Sequence, residues 1–441
     1  MKELSPGGAR QAALENLERF RREGTWSGSG IDSVIKKYGM DGREAALPAR
    51  LCLGVLQNSS LCDYYIGCYC RSKLEPKVRD ILRLGVYQIL FMDKIPARAA
   101  VSESVALCKS CGYARASGLV NAVLRRVAEN ADFLPEIPGQ GSAEYLGIKY
   151  SHPQWLARYV MDRKGYAFAE AFLAANNRPA GLTIQVNRLR CGVEEYTRAL
   201  ARAEIPFREA PGLPGCIELK GGSAVELPGY DQGLFYVQDR AARTAVEIAA
   251  PEPGMRVLDA CSCPGGKSFA AAIAMENRGS ILSCDIHEKK LRLVRSGAER
   301  LGFTLIDTCP RDAREDDRAW HQRFDLVIAD VPCSGLGVIG KKPEIRNKTR
   351  EGLNGLPAIQ RDILLNLANF VRPGGTLLYS TCTILEEENE AVIRALLAAR
   401  TDYTLEGFSV AGIDCPQGMY TFWPNVDGTD GFFAARLKRK N

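Results

Sequence analysis

Apolar residues recur at intervals of three and four through the first third of the chain. The stretches "ARLCLGVLQNSSLCDYYIGCY", "KVRDILRLGVYQILFM", "AVSESVALCKS" and "SGLVNAVLRRVAEN" each carry that period and predict amphipathic helices. Pro96 interrupts the pattern, Gly112 and Gly118 punctuate it, and Arg125 and Arg126 fall in the last turns of the final helix, where cations suit the helix dipole. An all-helical domain is expected over residues 1–132.

The run "ADFLPEIPGQGSAEYLG" has prolines and glycines but no period, and reads as a linker. A small α+β domain is expected over 146–235: "HPQWLARYVMDRKG" and "VEEYTRALARAEI" read as helices, "LTIQVNRL" and "GCIELKG" as strands. Over 236–441 short continuous apolar runs ("MRVLDAC", "GSILSCD", "FTLIDTC", "FDLVIAD", "GTLLYSTC") alternate with helical stretches such as "EKKLRLVRSGAERLG" and "AIQRDILLNLANFV". That alternation predicts an α/β fold with a parallel sheet covered on both faces.

Composition adds three constraints. With 46% hydrophobic residues the chain can fill large cores, yet no apolar run approaches the roughly 20 residues of a membrane span. Residues 1–132 hold 20 Lys+Arg against 14 Asp+Glu, so the whole net charge of +6 lies in the helical third and suggests a polyanionic partner there. The 15 cysteines, an odd number without an export signal, read as free thiols in a reducing cytoplasm. The one CxxC, Cys108 to Cys111, lacks a second pair and lies far from the three histidines His152, His287 and His321, so no metal site is expected.

In an open parallel sheet, ligands bind beyond the carboxyl ends of the strands. The five apolar runs end in, or are followed by, Asp259 and the loop "CSCPGGKS", Asp285, Asp312, then Asp330 with Pro332 and Cys333, and Thr381 with Cys382. The loop is not a Walker A motif, because Cys261 stands where its first glycine belongs, and no G-x-G-x-x-G occurs. What remains is a glycine turn opening a helix, with Asp285 placed 20 residues after Gly265, about where a carboxylate meets ribose hydroxyls. A nucleoside without a triphosphate fits that pocket, and S-adenosylmethionine is such a nucleoside. Cys261, Cys263 and Cys284 share the rim as packing or backbone-contact residues.

"VLDACSCPGGKS", "FDLVIADVPCSGLGVIGKKPEIR", "GGTLLYSTCTILEEENE" and "GTDGFFAARL" resemble, in order, the motifs of the RNA cytosine-C5 methyltransferases. "ASGLVNAVLRR" and "IKYSHPQWLARYV" narrow the resemblance to the bacterial 16S ribosomal RNA enzymes of the Sun/Fmu type. The resemblance implies a NusB-like helical domain, a small RNA-binding or linking domain and a Rossmann-like methyltransferase domain. It also implies S-adenosylmethionine as cofactor, held by Cys261, Ser262, Cys263, Pro264, Gly265, Gly266, Lys267, Asp285, Asp312 and Asp330. Cys382 aligns with the nucleophile, Cys333 with the thiol that assists release, Asp330 with the carboxylate facing the base, and Lys267 with its partner. The sequence departs from the family at Ser262 and Cys263, usually alanines, at Ser268, usually Thr, and before Asp312, where a glycine is missing.

Such chemistry explains a pair of thiols. C5 of cytosine becomes nucleophilic only when a thiolate adds to C6, and the addition needs support at N3. The expected substrate is 16S ribosomal RNA presenting a single-stranded or flipped cytosine to a cytoplasmic monomer with no membrane contact. Lys341, Lys342 and Arg346 are expected to touch its backbone. Two rivals use other features: a non-catalytic RNA-binding protein acting through the helical domain, and a redox pair Cys333–Cys382, which leaves the glycine turn and Asp285 without a purpose.

Overall fold

A computed structural model describes residues 8–23, 27–40, 42–179 and 181–441. Two compact units divide them: one runs to Asn177 and includes Ile339–Arg350, the other comprises Arg178–Val338 and Glu351–Asn441.

The first unit is helical. It contains α1 (Gly8–Glu23), α2 (Ser27–Tyr38), α3 (Gly42–Gln57), α4 (Ser59–Tyr69), α5 (Pro76–Phe91), α6 (Ala97–Ser110), α7 (Ser117–Glu129), α8 (Ala143–Lys149), α9 (Gln154–Lys164) and α10 (Tyr166–Ala175). Val120, Val123, Leu124 and Val127 of α7 form one buried stripe at helical spacing, and Pro76 opens α5 where a missing N–H costs nothing. Gly85 lets α5 close on its neighbours, since a Cβ there would come within 2.5 Å of Leu124. The stretch read as a linker is irregular only as far as Ser142, whose side chain caps α8 by accepting from Tyr145 N–H at 3.1 Å. The helices over 143–175 also belong to this unit.

The inserted segment 339–350 is anchored in this unit by Arg346, which is 7% exposed. Its Nη1 donates to the carbonyls of Gln57, Tyr150 and Ser151 at 2.7, 2.8 and 2.9 Å. Its Nη2 donates to Asn177 Oδ1 at 2.7 Å and Asn176 O at 3.3 Å. Arg346 is therefore a buried crosslink and not the RNA contact read from the sequence. Its two planar terminal nitrogens reach five oxygens at once, which a single ammonium could not span. Lys341 and Lys342 are exposed.

The second unit holds two main sheets. The smaller has the order β2 (Phe207–Glu209), β3 (Cys216–Leu219), β1 (Leu182–Val186), β4 (Phe235–Val237), antiparallel throughout. Helix α11 (Val193–Arg202) buries Tyr196 and Leu200 against Ile184, Val186, Ile217 and Phe235. The larger has eight strands. Five are parallel, in the order β7 (Ile306–Pro310), β6 (Ser280–Asp285), β5 (Arg256–Asp259), β8 (Phe324–Asp330), β9 (Val371–Thr381). Antiparallel β14 (Phe432–Arg439) follows, flanked by β10 (Tyr403–Leu405) and β13 (Met419–Phe422), and a separate hairpin joins β11 (Phe408–Val410) to β12 (Ile413–Cys415).

Alternate residues of the parallel strands fill two cores. Val257, Ile281, Leu326, Ile328 and Leu378 face α12 (Arg240–Ala249), α13 (Gly266–Ala274) and α14 (Glu288–Leu301). Leu258, Val327, Ala329, Leu377 and Tyr379 face α15 (Leu356–Leu367) and α16 (Glu390–Ala399). Burial on both sides is why these strands read as continuous apolar runs. The order runs β5–β6–β7 one way and β5–β8–β9 the other, so the chain reverses direction across the sheet between β5 and β8. A crevice at the carboxyl ends belongs there.

Candidate active site

The loop after β5 is built by backbone. Ser262 N–H donates to Cys284 O at 2.8 Å, its hydroxyl to the same carbonyl at 3.1 Å, and Gly265 N–H closes a tight turn on Ser262 O at 2.6 Å. Gly265 has φ 109°, in the left-handed region, and a Cβ there would lie 2.5 Å from the Phe269 ring. The turn opens α13, whose first N–H groups have no partner within the helix itself. Beneath it, Ser268 donates to Asp259 Oδ2 at 2.7 Å and meets the Ser283 hydroxyl at 2.8 Å. Asp259 is fully buried, its Oδ1 has no partner among the described residues, and burial raises its pKa to about 7. The sequence pattern marked Asp259 only as a strand end, and did not foresee Ser268 and Ser283 as its partners.

Burial pushes the Cys261 thiol up, and the charges of Asp259, Asp330 and Asp285 push it further. Cys263 is raised to about 12 by burial and by Asp285. Asp285 Oδ1 accepts from His287 N–H at 2.8 Å. Asp312 follows β7, but Arg314 lies on it: the Arg314 N–H donates to Oδ1 at 2.9 Å and its Nε to both oxygens at 3.0 and 3.1 Å, which lowers the carboxyl pKa. Among the described residues no group of three or more His, Cys, Asp or Glu side chains could hold a metal ion.

The thiols sit beyond β8 and β9. These strands pair in parallel with Asp330 opposite Ser380, so Cys333 and Cys382, a few residues further on, leave the sheet side by side. Their sulfurs are 3.3 Å apart. Contact with Cys382, burial and the charge of Glu388 hold the Cys333 thiol well above its usual pKa. Next to them Asp330 accepts from Ser380 Oγ at 2.8 Å and pairs with Lys267 Nζ at 2.7 Å. Gly337 N–H donates to Cys382 O at 2.9 Å and so ties the two loops directly.

Comparison with known proteins finds similarity to ribosomal RNA methyltransferases. The profile described as "16S rRNA methyltransferase RsmB/F" matches residues 246–438, "NusB family" residues 8–129, and "Methyltr_RsmF/B-like, ferredoxin-like domain" residues 152–226. A Bacillus subtilis protein named "Probable ribosomal RNA small subunit methyltransferase B" is 32% identical over 98% of this chain and 98% of its own length. A Synechocystis protein of the same name is 32% identical over 98% of this chain and 99% of its own. The solved structure titled "Crystal Structure of PH0851" superposes with a TM-score of 0.83 at 26% identity, covering 99% of this chain and 100% of the other.

Proposed function

Since the chain belongs to the 16S rRNA methyltransferase RsmB/F family, a family of S-adenosylmethionine-dependent enzymes, we propose that it methylates C5 of a cytosine in 16S ribosomal RNA through a bond between Cys382 and C6 of the base. The single observation that carries this reading is the 3.3 Å contact of two thiols at the ends of adjacent parallel strands, beside the Asp330–Lys267 pair.

The residues of the crevice suit the methyl donor. Asp285 is an acceptor for ribose hydroxyls, and the strand-end carboxylates of Asp285 and Asp330 suit a ligand bearing a sulfonium and an ammonium group. Cys261 to Lys267 would hold its amino-acid end through backbone, and Asp312 would contribute once Arg314 swings aside. Bound there, S-adenosylmethionine supplies an electrophilic methyl group.

The side chains do the remainder. Cys382, as thiolate, forms the bond to C6, and the C5–C6 π electrons shift so that N3 gains charge, which a proton drawn from solvent, held between N3 and the Asp330 carboxylate and given back on release, would support. After C5 is methylated its proton is lost, C5=C6 re-forms and the C6–S bond breaks. Cys333 gives its thiol proton to the departing Cys382 sulfur and takes up the one released from C5, so the protons balance. The helical unit, which carries the excess positive charge, would bind RNA phosphates without reading sequence.

The test is Cys382→Ala with tritiated S-adenosylmethionine and 16S RNA transcript. Transfer should vanish, and wild-type rates would refute the assignment.

A further inference from the structure

The two cysteine loops share a buried grip that the mechanism leaves unused. Glu388 is 1% exposed and ends the short turn Glu386–Glu388 beyond Cys382. Its Oε2 accepts from the Ser334 N–H at 2.8 Å and from Gln360 Nε2 at 2.7 Å, and Gln360 Nε2 also reaches Pro332 O at 3.0 Å. Both backbone neighbours of Cys333 are thereby held. On the other loop, the Ser334 and Thr383 hydroxyls meet at 2.7 Å, and Thr383 Oγ1 approaches Glu388 Oε1 at 3.5 Å. Asn389 completes the grip: its Nδ2 donates to Thr383 O at 3.1 Å and its Oδ1 accepts from Thr381 at 2.6 Å, so both neighbours of Cys382 are held too.

We propose that Glu388 is a positioning residue, which, resting on the cysteine chemistry above, fixes the Cys333 and Cys382 loops against each other so that both thiols meet one base. A carboxylate buried without a cation is costly, and among the described residues Glu388 meets none. Packing alone would be served by an apolar side chain. The charge has a use beside Cys333: it disfavours a Cys333 thiolate and so keeps that sulfur from competing with Cys382 for C6.

The experiment compares Glu388→Ala and Glu388→Gln in full-length protein, using 16S RNA transcript, tritiated S-adenosylmethionine, and transcript containing 5-fluorocytosine to trap the covalent adduct. Glu388→Ala should lower kcat by about 100-fold with KM for RNA and cofactor affinity within about threefold. Glu388→Gln, which can still accept from Ser334 and Gln360, should restore kcat to within about tenfold and move the alkaline limb of the kcat–pH profile to lower pH. Wild-type kcat in Glu388→Ala, or a loss of kcat matched by equal losses in cofactor affinity and melting temperature, would overturn the proposal. Failure of Glu388→Gln to recover activity above Glu388→Ala would overturn it as well. A wild-type enzyme that methylates but traps no 5-fluorocytosine adduct would instead sink the cysteine chemistry, with the kcat and KM comparison still reporting on Glu388.

Discussion

Lys267 Nζ lies 2.7 Å from Asp330 Oδ2, joining the start of α13 to the end of β8 across the crevice. The ammonium also sits 5.0 Å from the centre of the Phe432 ring, so its stem and head are both held. Lys267 is 8% exposed, and its removal would leave Asp330 without its cation in a partly enclosed site. In Lys267→Met, kcat for methyl transfer should fall by about 100-fold. The dissociation constant for the cationic cofactor should not weaken by more than about threefold, because a carboxylate has been freed rather than lost. Calorimetric titration together with steady-state kinetics separates the two effects.

Cys333→Ala removes the sulfur that contacts Cys382 at 3.3 Å. Attack by Cys382 should survive, while release slows. A covalent protein–RNA species should therefore build up on a denaturing gel after incubation with cofactor and 16S transcript. Normal turnover with no such species would remove Cys333 from the reaction.

The buried carboxyl of Asp259 makes stability depend on pH in an unusual direction. Its pKa in the fold is about 7, against the usual carboxylate value near 4 in the unfolded chain. Between those values the unfolded chain has released a proton that the folded one keeps, so stability falls as pH rises from about 4 to about 7 and is level outside that window. Asp259→Asn should abolish this slope. The difference in unfolding free energy between variant and wild type, from urea melts at pH 5 and pH 8, should shift towards the variant by on the order of 3 kcal/mol at most, since pH 5 already lies inside the window. An equal difference at both pH values would mean that Asp259 does not titrate there.

How far the sequence foretells this molecule depends on which residues share a period. The parallel strands β5 to β9 are legible because both faces are buried, and the helices of the first unit because one stripe is. The strand-end residues Asp285, Asp330, Cys333 and Cys382 follow from that reading, since a strand's end is where its loop must begin. The C-terminal strands β10 and β13 carry too few residues to show a period and are set by pairing with β14, while β11 and β12 are set by pairing with each other. Glu388 is hidden for another reason. In "EEENE" it looks like one of a solvated charge run, yet Glu386 and Glu387 are partly exposed while Glu388 points inward to Ser334 and Gln360. Only the chain's turn after Cys382 distinguishes them, and no spacing rule encodes it.

Arg346 gives the last prediction, because its place in the fold reverses its reading from sequence. Burial lowers its pKa to about 9, and no carboxylate pairs with it among the described residues. It is held by four backbone carbonyls and the Asn177 side chain. Arg346→Ala would strip those carbonyls of a shared donor and should cost about 3 kcal/mol of stability, with faster amide exchange in α3 and α9. Arg346→Lys should recover little, since three donors on one nitrogen cannot span carbonyls that a planar guanidinium bridges. The salt dependence of RNA binding should be unchanged in either variant, as a buried crosslink displaces no counterions. Replacing the exposed Lys341 and Lys342 together with alanine should instead lower the salt slope by about 1.5. Filter binding across a salt series, run beside the exchange measurement, distinguishes the crosslink from the phosphate contacts: a reduced slope in Arg346→Lys would return Arg346 to the RNA-binding surface.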